Sequence, residues 1–197
     1  LKDQILKNFQ RSIIAGQIAK KGGFFGSEKL QVSAVLFGFG EYLVTACAPN
    51  AAQQIREIKA RHGISMDRAS KTAIGISYKD LGILVAEQWN MPKTVTESMK
   101  TIGNFQVKKS DLAPEDFLPF VCAFSDELTE LSPEGEDGTV NGKELKKIWR
   151  RYRHLFDIEP EILEDILVAS RDQVGKQASL LNISPKRLKK APAPCLK

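Results

Sequence analysis

Histidine is the scarcest reactive residue in this 197-residue chain, with two copies, His62 and His154, separated by most of the sequence. Each sits among charged residues of a helical pattern, so neither is placed to serve a Ser-His-Asp arrangement or a zinc or di-iron site built from inward-facing ligands. Cysteine is nearly as sparse. Cys47, Cys122 and Cys195 are far apart and show no C-x-x-C spacing, which excludes a disulfide scaffold and a zinc knuckle and makes a reducing, cytoplasmic setting the expectation. Cys47 and Cys122 are expected as small buried hydrophobes, and Cys195 belongs to a loose tail. Long apolar runs are missing too: the greasiest stretch, Val32 to Ala48, is interrupted by Gly38, Gly40 and Glu41, so no membrane partner is expected. No basic start, apolar stretch and cleavage site follow Leu1, and its not being Met leads us to expect a boundary made by processing, cloning or gene loss.

What remains is an ordinary globular composition, 42% hydrophobic and 27% charged, which excludes collagen-like, mucin-like and wholly disordered chains. The net charge of +5 is a modest excess, and the signs are segregated. Residues 126 to 137 are acidic, Lys143 to Arg153 form a basic helix, and Lys186, Arg187, Lys189 and Lys190 make a basic tail. Without interleaved aromatics, a helix-turn-helix signature or zinc ligands, nucleic acid is not the expected partner.

Apolar residues recur at helical spacing along the chain. A first helix spans about Lys2 to Ala19, with Ile5, Leu6, Phe9, Ile13, Ile14 and Ile18 as its core-facing stripe, and ends at Gly22 and Gly23. Ser27 starts the next, Gly38-Phe39-Gly40 bends it or brings it close to a neighbour, and Pro49 closes it. Asn50 is expected to cap a helix over Ala51 to Arg61, Ser65 a short helix to Ala73, and Ser77 a helix whose apolar face holds Leu81, Leu84, Val85 and Trp89. Pro92 opens Lys93 to Thr101, Pro114-Glu115-Asp116 opens a helix with Phe117, Phe120, Val121 and Phe124 inward, and Asn141 caps a helix to His154. Pro160 opens a long last helix carrying Ile162, Ile166, Leu167, Val174 and Leu180. Only Asn104 to Val107 reads as briefly extended, so the fold class expected is all-α, with about eight or nine helices.

Chemistry is hard to find in this pattern. Gly38 and Gly40 follow no strand and precede no Lys-Ser or Lys-Thr, so they do not form a nucleotide loop; they suit a helix crossing, with Phe37 and Phe39 filling the space between. Glu57, Glu87, Glu97, Glu115, Glu127 and Glu164 read as surface positions. Tyr78 and Lys79 open a helix whose free N–H groups could hold an anion.

Two passages carry a family likeness. Leu36 to Leu43, followed by Pro49 and the Ala51 to Ile58 helix, and then Gly75 to Gly82 through Trp89-Asn90-Met91-Pro92, resemble the later part of an HDOD domain, a relative of the HD metal-dependent phosphohydrolases. By that resemblance a His-Asp dipeptide falls on Phe37-Gly38, a second histidine falls on Tyr78, and the helix from Lys7 to Ile18, which would supply an earlier histidine, contains none. The resemblance therefore implies no catalytic or metal-ligating residues and no cofactor. It divides the chain into an HDOD-like helical bundle over 1–130, lacking a front part, an acidic and Gly-rich loop over 131–142, a helical extension over 143–183 and a basic, Pro-containing disordered tail or linker over 184–197.

The function so implied is a noncatalytic bacterial signal-transduction scaffold, of the kind joined to receiver, kinase or cyclic-di-GMP-related domains. It would act through a protein partner or as a homodimer, with Phe37, Gly38, Phe39, Gly40 and Trp89 packed where the old site was and Ile5, Phe9 and Ile13 exposed for want of a front layer. Two alternatives stay open. One is a phosphate-containing ligand in the residual cleft, met by Tyr78, Lys79 and Arg68; the other is a nucleic-acid-associated regulator using the basic helix and tail.

Overall fold

The computed structural model describes residues 1–23, 27–103, 105–131 and 140–180. The loop residues 132–139, Asn104, and the tail 181–197 with Cys195 lie outside the described residues, as does the Leu180 side chain. Ten α-helices and no β-strand occur among the described residues: α1 (Lys2–Lys21), α2 (Ser27–Leu36), α3 (Phe39–Cys47), α4 (Pro49–His62), α5 (Met66–Ile74), α6 (Tyr78–Gln88), α7 (Lys93–Met99), α8 (Phe117–Glu130), α9 (Gly142–Tyr152) and α10 (Pro160–Leu180). The all-α expectation holds; α2 and α3 are one helical path broken at Phe37-Gly38, which brings the count to nine.

Local chemistry sets most boundaries. The Ser65 and Ser77 hydroxyls accept the Arg68 and Asp80 backbone N–H groups, and the Asn141 side chain accepts those of Lys143 and Glu144, each satisfying donors that a helix start leaves free. Gly63 and Gly75 end α4 and α5 in the left-handed conformation. Asn50 does not cap α4. Pro49 is already the first helical residue and Ala48 stands at the cap position, because proline has no N–H to satisfy and its fixed φ suits that place. Pro92 likewise stands outside α7 as its cap residue.

Helix α1 organises the packing, lying against α2, α8 and α10. Its Ile14, Ala15 and Ile18 join Phe117, Phe120, Val121 and Phe124 of α8, Leu145, Ile148 and Tyr152 of α9, and Ile166 and Leu167 of α10 in the main core. A ring stack at its centre places Phe124 4.5 Å from Tyr152 and 5.5 Å from Phe156. Smaller cores hold α3 to α7 together, one around Val44, Ile55, Ala69 and Tyr78 and one around Phe39, Ala86, Val95 and Met99.

Four apolar positions whose spacing puts them inward face out. On α1, Ile5 and Phe9 are 39% and 37% exposed, because the helices that pack on α1 meet the face through Leu6, Ile14 and Ile18; Ile13 is half-buried beside Leu6, Val174 and Ala178. On α6 the buried face is Tyr78, Gly82 and Ala86, which turns Leu84 to solvent and leaves Trp89 60% exposed, touching Phe39 edge-on at 5.5 Å. Cys47 is exposed on the last turn of α3, where the chain turns into Pro49, whereas Cys122 is buried as expected, and burial pushes its thiol up to about 12. Glu28–Cys47 is a stretch long and apolar enough to cross a membrane by length and composition. Here it packs against α1, α4, α6, α7 and α8.

The tightest point is the crossing of α3 and α6. A Cβ on Gly40 would stand 1.9 Å from the Tyr78 carbonyl oxygen, and one on Gly82 3.2 Å from the Gly40 nitrogen. Glycine at both positions lets the two backbones touch. Gly40→Ala is therefore expected to lower stability by about 1–3 kcal/mol in urea unfolding, since backbone rather than a flexible side chain must move. Gly175→Ala, in α10 with open space around it, is expected to be neutral or stabilising by up to about 1 kcal/mol; equal losses in the two variants would contradict the crossing argument.

Candidate functional site

Phe37 stands in the break just after α2 with its ring buried. Two cations reach it: the Arg11 guanidinium carbon lies 5.6 Å from the ring centroid and Lys79 Nζ 5.3 Å from it, within the range in which a cation is drawn to an aromatic face. The lack of a side chain at Gly38 makes room for α1, since a Cβ there would stand 2.7 Å from an Arg11 nitrogen and 2.9 Å from Asn8 Oδ1.

Arg11 is 1% exposed and is among the largest fully buried side chains. A guanidinium can be held there only if its charge and its donors are met. Its Nε donates to Asp126 Oδ1 at 2.8 Å, a second nitrogen reaches the same oxygen, and Nη1 donates to Asn8 Oδ1 at 3.0 Å. Gln4 donates to Asn8 and to Glu41, each at 3.1 Å. Lys7 bridges Glu41 of α3, at 3.3 Å, and Glu130 of α8. On the far side, the Lys79 backbone N–H donates to Asp67 Oδ1 at 3.2 Å. One polar layer thus ties α1, α3, α5, α6 and α8 together.

The charges act on each other. Burial alone would raise the Asp126 carboxyl, but the positive charges of Arg11 and Lys7 hold it below the usual carboxylate range. Burial would lower Lys7, yet Asp126, Glu41 and Glu130 raise it. For Asp67 burial wins over Lys79 and the carboxyl is raised. Burial with the nearby Glu41 charge pushes the Tyr78 hydroxyl up to about 12, and that buried oxygen has no hydrogen-bond partner among the described residues.

The residues named from sequence are thus only partly gathered. Phe37, Gly38, Tyr78 and Lys79 line this layer, Phe39 and Gly40 pack just beyond it, and Trp89 sits at the surface against Phe39. Arg68 is exposed and lines an open depression of about 340 Å³ with Ile64, Lys71 and Thr72, which Tyr78 and Lys79 do not line. At the start of α6 the N–H groups of Lys79 and Asp80 are already taken by Asp67 and Ser77. Arg11, Asp126, Lys7, Glu41 and Asp67 were not anticipated. Their trace in the sequence is a polar run, Gln4, Asn8 and Arg11, that continues the buried face of α1 occupied further on by Ile14, Ala15 and Ile18.

A hydrolytic metal centre does not fit here. Phe37, Gly38 and Tyr78, to which the resemblance assigns the HD dipeptide and histidine, carry a phenyl ring, no side chain and a phenol, and the helix beside them offers Gln4, Lys7, Asn8 and Arg11. Among the described residues no group of three or more His, Cys, Asp or Glu is placed to hold a metal ion. The carboxylates near Phe37 are engaged by Arg11, Lys7 and Lys79, whose charges oppose a cation in the same place.

Comparison with known proteins agrees with this architecture. The HDOD domain model matches residues 2–105, more than half of the chain. A candidate phosphohydrolase from Shewanella amazonensis SB2B has a similar structure, with a TM-score of 0.63 at 20% identity over 90% of this chain and 64% of that one. An HDOD domain protein of unknown function from Geobacter sulfurreducens gives a TM-score of 0.65 at 17% identity, over 90% and 61%. The chain spans a little over three fifths of the length of these solved structures, and at such identities they establish the shared fold. No curated protein matches the sequence significantly.

Because the Asp126 carboxyl is held low, its ionised form is favoured in the folded chain, so its contribution is present above about pH 4 and lost as pH falls through the folded value. In Asp126→Asn that part of the acid loss is expected to vanish, the variant being less stable at pH 7 and converging on the parent in acid. Unfolding by urea from about pH 7 to about pH 2 reads this, and parallel curves would rule out the ion pair as the cause.

Proposed function

The chain belongs to the HDOD domain family, and from that membership we propose that it is a noncatalytic bacterial regulatory module, cytoplasmic, that transmits a signal by protein contact. The observation that carries this reading is the filling of the site beside Phe37. Where the resemblance to the HD enzymes puts metal ligands, this chain has an aromatic ring, a glycine and a buried Arg11 with Asp126. A positively charged group cannot replace a metal ligand, and a carboxylate already bound to it has little left to offer a divalent ion. The name phosphohydrolase given to the Shewanella protein is for that reason not extended to this chain.

The exposed apolar side chains support the second half of the reading. Leu1, Ile5 and Phe9 stand on one side of α1, and Val32, Val35, Leu84 and Trp89 are exposed on α2, α6 and the turn after it. Apolar surface left open in this way is the kind that a protein partner or a second copy covers. A phosphate ligand at Lys79 is the weaker alternative, because the nearby N–H groups are spent on caps.

Manganese, magnesium or zinc added to the purified chain is expected to leave its thermal midpoint unchanged, and chelation to do the same, with no release of product from nucleotides or phosphodiesters. Stoichiometric metal binding, or turnover that Arg11→Ala abolishes, would overturn the proposal.

A further inference from the structure

Helix α9 is amphipathic in an unusual division of labour. Its inner face is spent on the core: Leu145, Ile148 and Tyr152 are buried, and the Tyr152 hydroxyl donates to Glu127 at 2.8 Å. Its outer face is almost wholly cationic. At 100° per residue Lys143, Lys147 and Arg150 fall in one line, flanked by Lys146 on one side and Arg151 on the other, and Arg153 and His154 follow at and beyond the end of the helix. All are exposed. Residues 143–154 hold six Lys and Arg and one Glu, an excess of five, and so carry the whole net charge of +5 while the rest of the chain is neutral.

Some of these charges are occupied and some are not. Glu127 holds Arg151 through two hydrogen bonds of 2.7 and 2.8 Å, and Lys147 reaches Glu144 only at 4.0 Å. Among the described residues Lys143, Lys146 and Arg150 have no ion pair. The aromatic rings nearby are closed off: Arg153 lies over Trp149 at 5.3 Å, the indole N–H donates to the Ile158 carbonyl at 2.9 Å, and Arg151 lies over Phe105 at 5.9 Å.

We propose that the outer face of α9 is a docking surface for the phosphate backbone of a nucleic-acid duplex, bound without regard to sequence. The chemistry of the face selects this occupant. A protein interface is organised around apolar anchors, and the one large apolar side chain that α9 leaves partly open, Trp149, is packed against the core and lies under Arg153. A helix lying on a membrane turns its apolar side to lipid, and here that side is inside the protein. Single strands are gripped by stacking bases on open rings, and both rings are covered. What the face offers is a row of cations broken by one exposed carboxylate, Glu144, along about 15 Å of helix, and a duplex shows one negative charge per about 1.7 Å, or about nine over that length. The nucleic-acid alternative left open by the sequence used the basic helix and the tail, against a lack of interleaved aromatics, a helix-turn-helix signature and zinc ligands; on a duplex backbone none of these is required. The proposal stands apart from the HDOD reading, since it concerns a helix outside the residues the family model matches.

The test is fluorescence anisotropy of a labelled duplex of about 20 base pairs and arbitrary sequence, titrated with the full chain between about 50 and about 200 mM salt. Four or five phosphate contacts predict a log–log salt slope of about −4, the same for unrelated sequences. Charge reversal at α9 in K143E/K146E/R150E is expected to weaken binding by more than about tenfold at the lower salt, while reversal elsewhere in K20E/K21E/K29E leaves that binding within about twofold. Should the α9 reversal disturb folding, K143Q/K146Q/R150Q reads the same quantity as a slope shallower by up to about 3. Duplex binding that survives either α9 change, carried by Lys186 to Lys190 or another surface, overturns the proposal. So does tighter binding to a single strand, to polyglutamate or to anionic phosphatidylglycerol vesicles than to the duplex.

Discussion

A guanidinium with 1% exposure in the middle of a helical bundle is the constraint around which this fold is arranged. Arg11 must be met by a carboxylate, a side-chain oxygen and a ring, and Asp126, Asn8 and Phe37 supply them from α8, α1 and the break between α2 and α3. Replacing such a pair by apolar groups is often harmless, whereas removing one partner strands a charge. The arrangement therefore specifies which helices meet, and where, more than it adds net stability. Gly38 gives the pair its room, and the Gly40 and Gly82 crossing brings α6, with Tyr78 and Lys79, up to the same layer.

The helices and several of their caps were legible because local chemistry decides them. Ser65, Ser77 and Asn141 cap as their side chains dictate, and Phe117, Phe120, Val121 and Phe124 are buried as their spacing requires. What sequence periodicity cannot supply is which face of an apolar helix meets a neighbour. On α6 the glycine decides, not the larger side chains, so Leu84 and Trp89, inward by their spacing, lie outward. On α1 the buried face passes through Gln4, Asn8 and Arg11 while Ile5 and Phe9 are left exposed, an inversion that only the partners on α8 and α3 explain.

The candidate site was legible by position and hidden in content. The resemblance pointed to Phe37, Gly38 and Tyr78, which lie in or beside the polar layer. The groups that took over the space, Arg11 and Asp126, are 115 residues apart and belong to no motif. Their meeting fills the space beside Phe37 with fixed positive charge and committed carboxylates. The proposed regulatory role rests on that filling, and the duplex-docking role proposed for α9 is independent of it, since α9 lies outside the residues the family model matches.

The most direct measurement is a double-mutant cycle on Arg11→Ala and Asp126→Ala, read by urea unfolding at pH 7. If the pair holds the site, the two losses are strongly non-additive, with a coupling of about 1–3 kcal/mol and the double variant little worse than either single one. Additive losses, with coupling near zero, would show that Arg11 and Asp126 act independently and would contradict a site closed by their ion pair.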